Sequence, residues 1–249
     1  MMNTKKKLNQ IFASILLNSI YAMKNYPIMF INTLLSPLSM LVIIVIVSRG
    51  ALIGVGIEGA FIMTMLSGGL SLQGDLSHLK NDFKLQDIVV SSPTTSFIYM
   101  IGMGLSELIY IIPTLIVLLI LAILFIHATI VQALIMLIAL IIIFLFSISL
   151  GFFLSTFTSD VMQSWGMTNV ISTLLSTIPP VYYLITYIPM PFQYIAYISP
   201  TTYAAEILQS ITGYLQITPL NFYVDWLVLI ILTVIMLVLS IRKSRWREN

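Results

Sequence analysis

No cysteine occurs in the 249 residues of this chain. Disulfides, thiolate metal sites and a cysteine nucleophile are therefore excluded. Charge is nearly as scarce, with only 8% of residues Asp, Glu, Lys or Arg. The two histidines, His78 and His127, fall in separate loops expected on opposite sides, and no H-E-x-x-H, G-x-S-x-G or paired-histidine arrangement occurs. Nothing therefore points to a metal or hydrolytic centre. No G-x-x-x-x-G-K-[ST] segment occurs, which excludes ATP binding through a P-loop. Basic residues nowhere gather into a nucleic-acid patch, so no nucleic-acid partner is expected.

What is present is apolar. Hydrophobic residues make up 59% of the chain and the mean hydropathy is +1.05, too little polar surface for a soluble globule of this size. Crossing about 30 Å of hydrocarbon takes roughly 20 apolar residues in a helix. The length allows about six such spans with short loops and leaves no room for a soluble catalytic domain. Ten of the eleven Lys and Arg lie in three stretches: Lys5, Lys6, Lys7 and Lys24; Lys80 and Lys84; Arg242, Lys243, Arg245 and Arg247. Only Arg49 stands apart. Basic residues near span ends mark the cytoplasmic side.

The expected fold is an all-α integral membrane protein forming a single transmembrane domain over 1–249. Residues 4–25 read as an amphipathic interfacial helix, with Leu8, Ile11, Phe12 and Ile15 opposite Lys7, Gln10, Ser14 and Asn18. A signal peptide is the alternative, but Ser14, Asn18 and Ser19 interrupt its apolar core and no small-x-small cleavage site follows. Spans one and two occupy 28–72, joined by an outer turn at Arg49-Gly50. A cytoplasmic region covers 73–92. Spans three to five occupy 96–187, with Pro113 in the third, a turn at His127-Ala128-Thr129, and Pro179-Pro180 breaking the fifth. Residues 188–223 hold no Lys or Arg and are punctuated by Pro189, Pro191, Pro200 and Pro219. Short re-entrant helices on the outer side, with an aromatic belt, suit this segment. Span six covers 224–241 and a basic tail 242–249. Six spans put both termini, and all three basic clusters, in the cytoplasm.

Gly54-Val55-Gly56-Ile57-Glu58-Gly59 fits the dinucleotide spacing G-x-G-x-x-G. That motif requires a preceding strand, whereas here it opens a membrane helix, so helix packing is the expected role of these glycines and of Gly68, Gly69, Gly102 and Gly104. Glu58 and Asp225 fall near outer span ends and are expected to be solvated. Glu107 lies about 15 Å into the third span at 1.5 Å per residue with no basic residue at that depth. It either lines a cavity or is held neutral by burial. Glu206 sits in the aromatic outer segment, near a pathway mouth. Between spans two and three, Leu76, Leu79 and Phe83 recur on one helical side, with Asp75, Lys80, Asp82 and Lys84 around them. The stretch is either a solvated loop with an interfacial anchor or an amphipathic helix that docks into a cytoplasmic partner.

The chain resembles the permease subunit of an ABC type 2 transporter. One shared stretch is Lys84-Leu85-Gln86-Asp87-Ile88-Val89-Val90-Ser91-Ser92-Pro93-Thr94-Thr95, followed by Gly102 and Leu105-Ser106-Glu107. Another is Pro179-Pro180, Pro191 and then Tyr197-Ile198-Ser199-Pro200-Thr201-Thr202-Tyr203-Ala204-Ala205-Glu206. The loop before Pro93 departs from the family, which often carries a Glu-Arg pair and Gly-Thr-x-Glu there.

The resemblance implies an exporter in the cell membrane, built from two permease chains and two copies of a separate ABC ATPase. It implies no cofactor in this chain, with ATP and Mg bound by the partner, and no enzymatic activity of its own. Residues 73–85 would act as the coupling helix, so Leu76, Leu79, Lys80, Phe83 and Lys84 would meet the ATPase. The pathway would run between the two permeases, and Glu107, Pro179, Pro180 and Glu206 are candidates for its lining or gate. The rival from another class is a stand-alone secondary transporter or channel, which calls for a charge relay, a filter or inverted repeats. A second rival is a non-transporting membrane subunit. The substrate is open among drugs or peptides, lipids or glycans, and ions, and the dimer is homo- or heteromeric.

Overall fold

The computed structural model describes residues 27–81, 96–158 and 160–243. Among these residues there are eight α-helices and no strand. They are α1 (Pro27–Val47), α2 (Ile53–Asn81), α3 (Ser96–Phe125), α4 (Ile130–Leu154), α5 (Val161–Thr177), α6 (Gln193–Ala196), α7 (Pro200–Ile211) and α8 (Pro219–Lys243), with a 3₁₀ turn at Ile185–Tyr187. Helices are what an apolar chain must form in lipid, because every backbone N–H and C=O has to be satisfied within the segment. Four stretches are long and apolar enough to cross a membrane: Ile53–Ser77, Met100–Phe125, Ile130–Leu154 and Pro219–Lys243. The expected interfacial helix (4–25) and the basic tail lie outside the described residues, apart from Arg242 and Lys243 at the end of α8.

Local chemistry sets most helix ends. Pro27 and Pro219 each occupy the first position of a helix, where the missing N–H has no intrahelical partner to lose. The α1–α2 turn runs through Arg49 (φ 52°) and Gly50 (φ 85°), both left-handed. His127 (φ 52°) makes the second tight turn. It leads into Thr129, which caps α4 with a reciprocal capping box to Gln132. Both turns fall where the sequence places them.

Three boundaries differ from expectation. α2 does not end at Leu72 but continues to Asn81, because Gln73, Gly74 and Ser77 are buried against neighbouring helices and stay helical. The fifth segment begins at Val161 and is helical only to Thr177, so 178–187 are not part of it. Pro179 and Pro180 cannot supply the N–H groups that would continue it. The last helix starts at Pro219 rather than near 224.

α2 is the centre of the bundle, packed against α1, α3, α4, α5 and α7. Of its spanning window 83% is buried, against 17% for α3 and 22% for α8. Its apolar core residues Ile57, Ile62, Met65 and Leu72 join Met103 and Ile111 of α3, Leu140, Ile143 and Ile148 of α4, and Ile207 and Leu208 of α7. Leu66 and Leu70 form a second cluster with Leu154, flanked by Met167 and Ile171 of α5. Glycines let the backbones meet. A Cβ at Gly69 would lie 2.9 Å from the Ile148 amide nitrogen, and one at Gly151 would lie 3.0 Å from the Gly69 carbonyl, so α2 and α4 touch main chain to main chain. The outer faces of α3, α4 and α8 carry Ile116, Ile123, Leu134, Leu137, Leu227 and Ile230, all exposed apolar side chains suited to lipid.

Candidate functional site

The Asn81 end of α2 is where the coupling region was expected. Gln73 is fully buried, and its Oε1 accepts a hydrogen bond from the Thr168 hydroxyl of α5 at 3.0 Å. Gly74 gives the Trp165 ring room to lie on α2, since a Cβ there would fall 2.6 Å from the ring. Leu76 packs half-buried at the edge of the main core, and Ser77 is buried. This part of the predicted coupling helix is thus the end of the central helix rather than a separate short one. Leu79 and Lys80 fall in its last turn, while Phe83 and Lys84 lie outside the described residues.

Glu107 of α3 is buried, with 4% of its surface exposed. Its Oε2 accepts the Ser71 hydroxyl of α2 at 2.6 Å, and its carboxyl hydrogen-bonds that of Asp75, one turn further along α2. Glu107 is thus buried and hydrogen-bonded in the α2–α3 contact, where the two carboxyls meet.

At the opposite end of the bundle the chain leaves α5 through Pro179 and Pro180. Both are buried and form a bend against α2 and α7. The Val181 carbonyl approaches Gly59, where a Cβ would sit 2.6 Å away. Gln209 of α7 donates its Nε2 to the carbonyls of Pro180 (3.1 Å) and Tyr183 (3.3 Å).

α7 is built for burial. Ser199 caps it and Pro200 occupies its first turn. The Thr201 hydroxyl donates to the Leu175 carbonyl of α5 at 2.8 Å, and Gln132 of α4 donates to the Ile211 carbonyl at 2.5 Å. Glu206 accepts the Tyr197 hydroxyl at 2.9 Å and hydrogen-bonds Asp225 of α8. Burial raises the Glu206 carboxyl above its ordinary value, and the hydrogen bonds from Tyr197 and Asp225 oppose the rise. Burial and the neighbouring Glu206 likewise push the Tyr197 hydroxyl up. The four candidates for pathway or gate therefore divide: Pro179, Pro180 and Glu206 gather around α7, whereas Glu107 belongs to the α2–α3 contact.

Glu58 and Asp225 correct the sequence expectation of solvated carboxyls. Their side chains are 0% and 4% exposed. α7 and the 179–183 bend fold over the bundle there and exclude water. Gln73, Ser71, Asp75 and Thr168 were not singled out as an interhelical network. The available signal was the low hydropathy of α2, 1.5 against 3.1 for α3 and α4, which marks a helix whose polar groups need protein partners.

A family model for ABC-2 type transporters matches residues 9–212, most of the chain. The chain belongs to the ABC-2 type transporter family. No curated protein matches it at a significant level. As an ABC-2 membrane protein it is a transport permease, and the matched region runs from the segment before α1 to the residue after α7. The contact of α7 with α2, α4 and α5 thus lies within the part that defines the family, and α8 follows it.

Proposed function

We propose that the chain is the permease subunit of an ATP-driven exporter in the cell membrane. It forms the pathway as a dimer, with itself or a homologue, and is driven by two copies of a separate ABC ATPase. Six spans are read as α1 to α5 and α8, with α6 and α7 re-entrant on the outer side, the interfacial segment beside the ATPase, and both termini cytoplasmic. The observation that carries the proposal is the continuity of α2. The most buried of the spanning helices among the described residues runs without a break from the Arg49-Gly50 turn to Asn81, so a push at residues 79–81 is delivered along a continuous helix to the core. ATP-driven closure of the ATPases would shift the permease between two arrangements by the difference in their affinity for them. Gln73–Thr168 and Gly74–Trp165 would carry that movement into α5.

The test is co-purification of the full chain with its native membrane partners in mild detergent, comparing wild type with Leu79→Asp plus Phe83→Asp. An ATPase recovered with wild type and lost from the variant supports the proposal. A folded wild-type sample that brings down no ATPase favours the stand-alone transporter. One observation speaks for that second reading: Glu58, Glu107, Glu206 and Asp225 are all buried, more intramembrane carboxyls than the sequence alone suggested.

A further inference from the structure

Glu58 stands five residues inside α2, about 8 Å from the helix start at 1.5 Å per residue, and none of its surface is exposed. Neither carboxylate oxygen has a hydrogen-bond partner. The Thr212 hydroxyl lies beside it but is directed at the carbonyls of Leu208 (3.0 Å) and Gln209 (3.2 Å). Gln209, one turn before Thr212, is also fully buried. Its Nε2 is committed to Pro180 and Tyr183, which leaves its Oε1 without a donor. Exchanging the amide atoms would set that oxygen against two carbonyl oxygens, so the orientation follows from the contacts. Gly59, the residue after Glu58, packs on the Val181 carbonyl of the bend whose Pro180 and Tyr183 carbonyls hold Gln209, and Thr212 beside Glu58 stands one turn from Gln209 on α7.

Three buried acceptor atoms with no donor are costly, and an unpaired carboxylate the most so. The neighbouring elements bring no positive charge to balance it. α1, α4 and α5 carry no ionisable side chain over their described ranges. Among the described side chains α3 brings Glu107 and Tyr110, α7 brings Tyr203 and Glu206, and the loops bring Tyr182, Tyr183 and Tyr214. Arg49 is exposed in the turn before α2.

We infer that Glu58, Gln209 and Thr212 form a binding site for one monovalent cation, either a proton or an alkali-metal ion. The donor set is all oxygen, which suits a hard cation. A single carboxylate is neutralised by one positive charge, whereas a divalent ion would leave net charge in hydrocarbon. The occupied site joins α2 to α7. The inference holds whether or not an ATPase drives the protein.

The full chain in lipid nanodiscs is unfolded thermally in choline chloride, then with sodium, potassium or lithium chloride substituted at constant ionic strength, and in choline across a pH series. Wild type is expected to gain about 4 °C or more on occupancy. A gain with an alkali ion at neutral pH identifies that ion as the occupant, and a gain in choline on acidification that is larger in wild type than in Glu58→Gln identifies the proton. Glu58→Gln is expected to lose the alkali-ion response and the part of the acid response that Glu206 does not supply. Should that variant fail to fold, Glu58→Asp keeps the charge but withdraws it from Gln209 and is expected to shift the half-effect concentration about tenfold. A wild-type unfolding temperature that no alkali ion raises and whose pH profile is unchanged by Glu58→Gln overturns the site, as does an alkali-ion response that survives Glu58→Gln or is unaltered in Glu58→Asp.

Discussion

Ser71 on α2 donates its hydroxyl to Oε2 of Glu107 on α3 across 2.6 Å. The contact joins residues 36 positions apart, and with Asp75 it closes a small polar network between the central helix and its neighbour. Ser71→Ala removes the donor and leaves a buried carboxyl less well satisfied. The expected loss is about 1–3 kcal/mol of stability. Glu107→Gln keeps an oxygen for Ser71 and an N–H for Asp75, so it is expected to cost less than Glu107→Ala. Thermal unfolding in detergent ranks the three variants, and a Glu107→Gln as damaging as Glu107→Ala would contradict the hydrogen-bonded contact with Ser71 and Asp75.

Two glycines predict opposite signs. Gly69→Ala would drive a methyl group into Ser147 and the Ile148 amide nitrogen, forcing α2 and α4 apart at a cost of about 1–3 kcal/mol. Gly166 on α5 has open space at its Cβ position, so Gly166→Ala is expected to stabilise the helix by about 0.5–1 kcal/mol. A Gly166→Ala that destabilises the detergent-solubilised protein would mean that a second chain covers this face of α5.

The Gln73–Thr168 bond predicts energetic coupling between α2 and α5. Thr168→Val leaves the Gln73 oxygen, as well as its already unpartnered Nε2, unsatisfied in a buried setting. Gln73→Leu removes both polar atoms. A double-mutant cycle is expected to show a coupling of about 1 kcal/mol, with the double variant more stable than Thr168→Val alone. Strict additivity would show that this bond does not couple α2 to α5.

Glu206 sets a pH dependence. Its folded-state value lies above the ordinary 4.5 because of burial, so the folded protein holds this proton more tightly than the unfolded chain. The associated stability is fully present below pH 4.5 and is lost as pH rises through the raised folded-state value. Unfolding temperature is therefore expected to fall more steeply with rising pH in wild type than in Glu206→Gln. Parallel profiles for the two proteins would show that Glu206 titrates in the α7 contact as it does in water.

Much of the architecture was legible because membrane helices obey a local rule. An apolar run of about 20 residues must satisfy its own backbone in lipid, so helical runs near 28–48, 52–72, 96–126 and 130–157 were readable one segment at a time, though not the continuation of α2 to Asn81. The turns were equally local. Arg49-Gly50 and His127-Ala128-Thr129 turn where polar residues interrupt the runs, and Pro179-Pro180 stops α5 because proline lacks the donor a helix needs.

What required the tertiary structure was the partnership of polar groups. Nothing next to Glu58 in the chain announces that α7 and the 179–183 bend cover it. Nothing near Gln73 announces Thr168, 95 residues away. Glu58 and Asp225 looked solvated because depth along one helix was the only available measure. Whether a carboxyl near a helix end meets water or protein depends on which other segment folds over it. The same holds for α2, whose modest hydropathy made it the weakest of the four spanning stretches and whose burial made it the core. Apolar length is a property of one segment and therefore of the sequence; the burial and pairing of the few polar side chains are properties of contacts between segments, and only packing decides them.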